Sequence, residues 1–369
     1  GSATALALVA FFNFGPTVLF LPIAGALVDR WNRKLVLILS DLAAGLSSIA
    51  ILILYATGHL QVWHLYVAGA FSGTFHAFQW PAYSAAISSM LPKEQYGRAN
   101  GMVSLAETGS GVAAPLMAGF LIGVIGVPGI LAIDIVTFVA AILAVLAVAI
   151  PQPQRSEEGR KAQGSLLKES VFGFKYIRER PSLLGLQLIF FTGNLMSSFG
   201  FTTLAAMLLA RTGQQAMVLG SVESAFAVGG VIGSLALTAW GGPKRRVHGV
   251  LLGHVFVGIF GQVVLGIGQS LPVWLAGAFM TSLIIPVLNG SNQAIWQAKV
   301  LPDLQGRVFA SRRLIAQISA PIAMLAAGPL ADRVFEPAMR VGGSWSGTFG
   351  WLVGSGPGGV FAALGLRGR

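Results

Sequence analysis

Apolar positions run through this chain in long unbroken stretches. A membrane-crossing helix needs about 20 mostly apolar residues. Ten stretches meet that length: 3–27, 35–55, 62–88, 101–125, 128–150, 183–209, 216–240, 248–268, 272–297 and 312–335. An eleventh, 347–366, looks cut short; the set is lettered A to K in chain order. The run from Ile130 to Ile150 shows no polar–apolar alternation, which disfavours the strands of a membrane barrel. The pattern predicts an all-α polytopic membrane protein.

Composition agrees. Of 369 residues, 54% are apolar and 10% charged, against about 25% charged in an ordinary soluble domain. Mean hydropathy is +0.74. A water-covered enzyme, a disordered chain and a fibrous protein are excluded on these grounds. There is no cysteine, hence no disulfide, thiolate metal site or cysteine nucleophile. No Ser/His/Asp set, metal cluster, H-E-x-x-H motif or phosphate loop stands out, so neither an enzyme nor a cofactor is expected.

The net charge of +11 need not mean nucleic acid. With helices as above, 21 of the 24 cations fall on one side of the membrane, leaving Arg211, Arg333 and Arg340 on the other. That asymmetry predicts a multi-pass protein of the cell (inner) membrane, with its basic loops facing the cytoplasm and anionic lipid. Segment A must then run inward. One helix is therefore expected before Gly1, and segment K is expected to be truncated at Arg369. About 10–11 of twelve helices are present on this reading.

A weak repeat runs through the sequence. Leu91-Pro92 with Gly97-Arg98 returns as Leu301-Pro302 with Gly306-Arg307, about 210 residues later; Gly25 with its basic cluster returns as Gly233 with Lys244 to Arg246. A same-orientation repeat predicts two similar helical halves. The expected layout is an N-terminal bundle at 1–150, a cytoplasmic linker at 151–182 and a C-terminal bundle at 183–369. Within the linker, 166–180 fits an amphipathic helix with Leu167, Val171, Phe174 and Ile177 on one face.

The A–B turn reads Gly25-Ala-Leu-Val-Asp29-Arg30-Trp-Asn-Arg33-Lys34. It resembles the G-x-L-x-D-R-x-G-R-[RK] signature of the major facilitator superfamily, with Asn32 in a glycine position. Asn tolerates the left-handed conformation that glycine would supply there. Segment D carries Gly111, Pro115 and Gly119 in a pattern similar to the family's antiporter motif. Small residues let helices approach closely, and the proline can bend the helix. Leu21-Pro22, Asp29-Arg30-Trp31 and Asp134 look most like the drug-efflux, macrolide-exporter branch of drug:proton antiporters. The resemblance implies two six-helix bundles related by a pseudo-two-fold axis, acting as a monomer. It also implies that Asp29 pairs with cations and a helix N-terminus to close one side of the carrier. Arg30, Arg33 and Lys34 belong to that gate, and Asp41 is expected to join its charge cluster.

Ionisable groups at membrane depth are functional candidates. Glu107 and Glu223 are the foremost candidates for proton or substrate coupling. Asp134 is a further candidate with a stronger structural alternative. Proton-coupled relatives often carry an arginine in the helix matching segment C; here none occurs between Trp63 and Pro92, and His76 is the titratable residue deep in that segment. For the substrate cavity, segment I presents Asn289, Asn292, Gln293 and Trp296 at helical spacing on one polar face, and segment C presents Gln79, Trp80 and Tyr83. Asn194 adds to these from segment F. Mixed amides and aromatics suit bulky, partly apolar ligands. The expected function is proton-driven export of lipophilic or amphipathic molecules by alternating access. An uptake symporter and a non-transporting membrane scaffold are the alternatives.

Overall fold

The protein was examined as a computed structural model, which describes residues 3–161, 164–330, 336–339 and 344. Every regular element among them is helical. Segment K and the end of segment J lie outside the described residues. The helices are α1 (Ala3–Arg30), α2 (Arg33–Ala56), α3 (Val62–Met90), α4 (Tyr96–Val124) and α5 (Gly126–Ala147), then the short α6 (Glu157–Lys161) and α7 (Leu166–Arg178). They continue with α8 (Pro181–Arg211), α9 (Ala216–Trp240) and α10 (Arg246–Phe256). A π-helical stretch, Val257–Val263, carries α10 into α11 (Val264–Ile267), and α12 (Leu271–Lys299), α13 (Gln305–Leu330) and α14 (Glu336–Met339) follow.

Eight of the described helical stretches are long and apolar enough to cross a membrane. α3 and α13 are of similar length but carry more polar residues. α13 also starts at Gln305, well before the apolar run of segment J. Its first turns are polar because they pack inside protein: Gln305, Arg307, Val308, Phe309 and Ser311 are all buried. Arg307, Arg312 and Arg313 are thus helix residues rather than turn residues.

The chain forms two compact units. The first comprises 1–93, 113–184 and 296–314; the second comprises 94–112, 185–295 and 315–369. Neither coincides with a half of the sequence repeat. In the first unit, α2 packs on α3 and α5 around Val28, Val36, Leu37, Ala82 and Ala86. In the second, Met207, Leu208, Val222, Leu265, Trp274 and Ala278 form the core.

Two local expectations are overturned. Asn32 has extended backbone, φ −66° and ψ 118°, and is not left-handed. Its side chain instead accepts from Lys34 N–H at 3.0 Å and Leu35 N–H at 3.3 Å, capping α2. On α7 the inward face is Glu169, Ser170, Gly173, Tyr176 and Ile177. Leu167 and Val171 point outward, at 77% and 58% exposure. Polar partners on α1 and α13 select the face that turns in, ahead of apolar periodicity.

Candidate functional site

The first unit builds a charged junction where the end of α1 meets the start of α13. Backbones touch there. A Cβ on Gly25 would sit 2.5 Å from both the Gly306 carbonyl oxygen and the Ala310 side chain. That approach brings Asp29 onto the first turn of α13. Its carboxylate accepts from Gly306 N–H at 2.7 Å, Arg307 N–H at 3.0 Å and Arg307 Nε at 3.0 Å. The Asp29 side chain is fully enclosed and that of Arg307 is 5% exposed. Free N–H groups at a helix start and a paired guanidinium are the two things that make a buried carboxylate tolerable.

The neighbouring cations divide their work. Arg33, 1% exposed, donates to the Ala85 carbonyl at 2.8 Å, to Ser89 Oγ and to the Pro302 carbonyl. Lys34 donates to the Leu146 and Val148 carbonyls at 2.6 and 3.0 Å, tying off the end of α5. Arg30 forks onto Glu169 of α7, Nε to Oε2 at 3.0 Å and the second nitrogen to Oε1 at 2.8 Å, and reaches the Gly164 carbonyl at 2.7 Å. Glu169 also faces Arg307 at 3.8 Å and accepts from Gly164 N–H. Burial would raise its pKa, but hydrogen bonds from Arg30 and Gly164 and the nearby guanidinium charges outweigh that and hold it below the ordinary glutamate value. Asp303, in the turn before α13, accepts from Ser156 N–H and Oγ, both at 2.8 Å, at the start of α6.

Asp41 does not join this cluster. Twelve residues separate it from Asp29 in sequence, but α2 carries it about 12 Å from its first turn. Its hydrogen-bond donor is Gln79 Nε2 of α3 at 2.8 Å. One turn back on α3, the His76 ring hydrogen-bonds Gln79 and lies in the field of Arg313 from α13. The Arg313 guanidinium sits 4.8 Å from the Trp80 ring centre, and Trp80 lies against Phe309. Tyr83 is 45% exposed on the same helix.

The other candidates differ in burial. Asn289 is exposed and Gln293 and Asn194 half-buried. Asn292 and Trp296 are packed into protein, at 2% and 0% exposure, rather than lining open space. Trp296 lies beneath Arg312, 5.2 Å from the guanidinium to the ring centre. Glu107 and Glu223 are exposed. Asp134 accepts from Ser48 of α2 at 2.5 Å, a helix-to-helix bond. A Cβ added at Gly111 or Gly119 would meet no atom of the described residues within 4 Å. Gly101, at the start of segment D, is by contrast closely packed, and α4 runs unbroken through Pro115. No cluster of metal-ligating side chains occurs among the described residues.

Sequence reasoning missed Glu169, Asp303, Arg307 and Arg313. The repeat had marked Gly306-Arg307 without a role, and nothing in the sequence pointed α13 at α1.

Helices long and apolar enough to cross a membrane, a glycine-mediated crossing and a carboxylate seated on a helix start define the class as a multi-pass helical membrane protein. The family model of the Major Facilitator Superfamily matches residues 1–324, and the chain belongs to that superfamily. It is 25% identical over 343 residues to Macrolide efflux protein A of Streptococcus pyogenes, covering 90% of this chain and 82% of that protein. It is 25% identical over 346 residues to the Multidrug efflux pump Tap of Mycolicibacterium fortuitum, again over 90% and 82%. The human organic anion transporter MFSD10 (TETRAN) shares the fold, with TM-score 0.69 at 16% identity over 98% of this chain and 81% of that one.

Proposed function

We propose that this transporter exports small lipophilic or amphipathic molecules, macrolide-like compounds among them, by alternating access driven by proton antiport. It acts as a monomer in the cell (inner) membrane, with its Lys/Arg-rich loops in the cytoplasm. The observation that carries this reading is Asp29 on the first turn of α13. A charged, hydrogen-bonded contact at a helix start is worth about 0.3–1 kcal/mol, up to about 2 when partly buried. A contact of that size is strong enough to favour a closed side and weak enough to break in each cycle. The names of the efflux relatives, at 25% identity across most of both chains, support the outward direction over uptake. Asn194, Asn289, Gln293, Gln79, Trp80 and Tyr83 are the residues proposed to meet substrate when the carrier opens.

The test is efflux from cells carrying the protein, across a panel of macrolides and unrelated lipophilic dyes, with and without a proton uncoupler. Uncoupler-sensitive export of at least one macrolide is the expected result. Export that persists in the uncoupler removes proton coupling; accumulation in place of export replaces the reading with uptake.

A further inference from the structure

Asp41, Gln79, His76 and Arg313 form one connected polar chain across three helices of the first unit. Asp41 stands on α2, Gln79 and His76 on α3, and Arg313 on α13. Gln79 is the hinge of the chain: its Nε2 donates to Asp41 Oδ1 at 2.8 Å, and it hydrogen-bonds the His76 ring. His76 in turn feels Arg313, which is held over Trp80. Asp41, Gln79 and Arg313 are half-buried and His76 is exposed, so the group is neither sealed off nor fully solvated. The arginine absent from α3 itself is thus supplied to α3 in space, by α13.

We propose that Asp41 is the residue that takes up and releases the transported proton, and that Gln79, His76 and Arg313 pass its charge state to α13. The inference rests on the proton-antiport reading above and assigns its site. The proton binds the Asp41 carboxylate from the outer face and leaves to the cytoplasm, one proton for each cycle of that group. A hydrogen bond to an ionised carboxylate is roughly twice as strong as one to its neutral form. Protonation therefore loosens Gln79 from Asp41 and changes what His76 and Arg313 face. Arg313 lies six residues, about 9 Å, along the same helix from Arg307, the partner of Asp29. One rigid helix then carries both the proton-sensitive contact and the contact proposed to close the carrier.

Among the described residues, the other carboxylates on helices of this unit have partners of their own. From α3 Asp41 faces Gln79, with His76 beyond it, and Arg313 of α13 faces His76. On α5, Asp134 is engaged by Ser48, seven residues and about 10 Å farther along α2. On α1, Asp29 is engaged by Gly306 and Arg307.

The experiment uses the protein in liposomes with a radiolabelled macrolide. Two quantities are read: accumulation driven by an imposed pH gradient, and counterflow exchange with no gradient. Asp41→Asn should lower gradient-driven accumulation by about tenfold or more while counterflow falls by no more than about threefold. Arg313→Gln should show the same split more weakly. Asp41→Asn with an undiminished gradient response overturns the proposal while leaving proton antiport intact. If Asp41→Asn gives no folded protein, Arg313→Gln decides: an unchanged gradient response overturns the proposal, and a selective loss supports it. A wild-type protein that exchanges macrolide but ignores the gradient defeats the antiport reading itself, and this assignment with it.

Discussion

Each compact unit contains a helix crossing built on glycine, and the sequence repeat pairs Gly306 of the first with Gly97 of the second. In the first, Gly25 of α1 meets Gly306 of α13; in the second, Gly97 of α4 meets Gly241 at the end of α9. A Cβ on Gly97 would coincide with the Gly241 carbonyl oxygen, and one on Gly101 would lie 2.7 Å from Thr238 N. Gly241 itself has φ +83°, a conformation other residues rarely adopt. Both crossings thus use glycine to let backbones touch. They differ in chemistry. At the first, Asp29 is buried on the helix start and binds Arg307. The offset that pairs Gly25 with Gly233 pairs Asp29 with Leu237, also fully buried, whose backbone lies against Gly101 of α4. Arg98, the counterpart of Arg307, is exposed. One crossing is held by a buried carboxylate–guanidinium pair; the other has the neutral Ser234–Ser104 hydrogen bond at 3.1 Å and Arg246 on the Gly241 carbonyl. A contact that depends on a carboxylate and a guanidinium can be weakened by protons, salt or a competing partner. The second crossing, with Leu237 where the first has its carboxylate, lacks that proton handle.

Asp29→Leu converts the first crossing into the chemistry of the second, and it has the largest expected effect. Removing one member of a buried ion pair costs about 3–5 kcal/mol. The low end applies because Arg307 keeps Glu169 at 3.8 Å. A loss of about 3 kcal/mol is roughly a hundredfold in the closed-to-open ratio of this junction. The chain has no cysteine, so a single Ser88→Cys, at a position 8% exposed beneath Gln305, reports opening without background. Maleimide labelling should rise steeply in the Asp29→Leu background. Unchanged labelling would mean that packing alone closes both crossings and that the contrast drawn here is empty.

Glu169→Gln probes the outer layer of the same charged crossing. The Arg30 side chain is 37% exposed, so solvent screens that pair, and about 1 kcal/mol is expected. The sign of the pH effect follows from the depressed carboxylate. Its contribution is complete above the ordinary value of 4.5 and fades as pH falls through the lower folded value. The Glu169-dependent part of Ser88→Cys labelling, read as the difference between wild type and Glu169→Gln, should therefore be flat between about pH 8 and about pH 5.5 and change only in stronger acid. A Glu169-dependent change within the neutral range would mean that Arg30 and Gly164 do not hold this carboxylate in its charged form.

How much of this was legible beforehand differs between the crossings and their partners. α1, α2, α5 and α9 follow directly from apolar runs, because a lipid-facing helix has to be apolar on most of its circumference. The start of α13 does not, because residues buried among protein helices are free to be polar. Asp29 and Gly25 were legible from their motif. Arg307 was not, since its link to Asp29 spans 278 positions and neither residue's neighbours encode the other. Asp41 was assigned to the wrong group because closeness in sequence stood in for closeness in space. Asn292 and Trp296 shared a helix face with Asn289, as their spacing required. Spacing alone did not say which part of that face other helices would cover.

The smallest predicted effect concerns the entry into α2, directly after the charged crossing. The family pattern has glycine where this chain has Asn32, and two explanations of the asparagine make opposite forecasts. If the position needed a left-handed backbone, Asn32→Gly would be neutral or favourable. The observed backbone is extended and the side chain accepts from Lys34 and Leu35 N–H. A lost cap costs about 1 kcal/mol for alanine and only a few tenths for glycine. Asn32→Asp should keep the cap, since a carboxylate accepts the same bonds and sits favourably at a helix start. Thermal unfolding in detergent should therefore rank the variants wild type and Asn32→Asp together, then Asn32→Gly, then Asn32→Ala. A glycine variant more stable than wild type would show that the turn, and not the cap, sets the chemistry of this position. Arg33 and Lys34 would then owe their placement to backbone shape, because both follow Asn32 directly and point in opposite directions from it, toward α3 and α5.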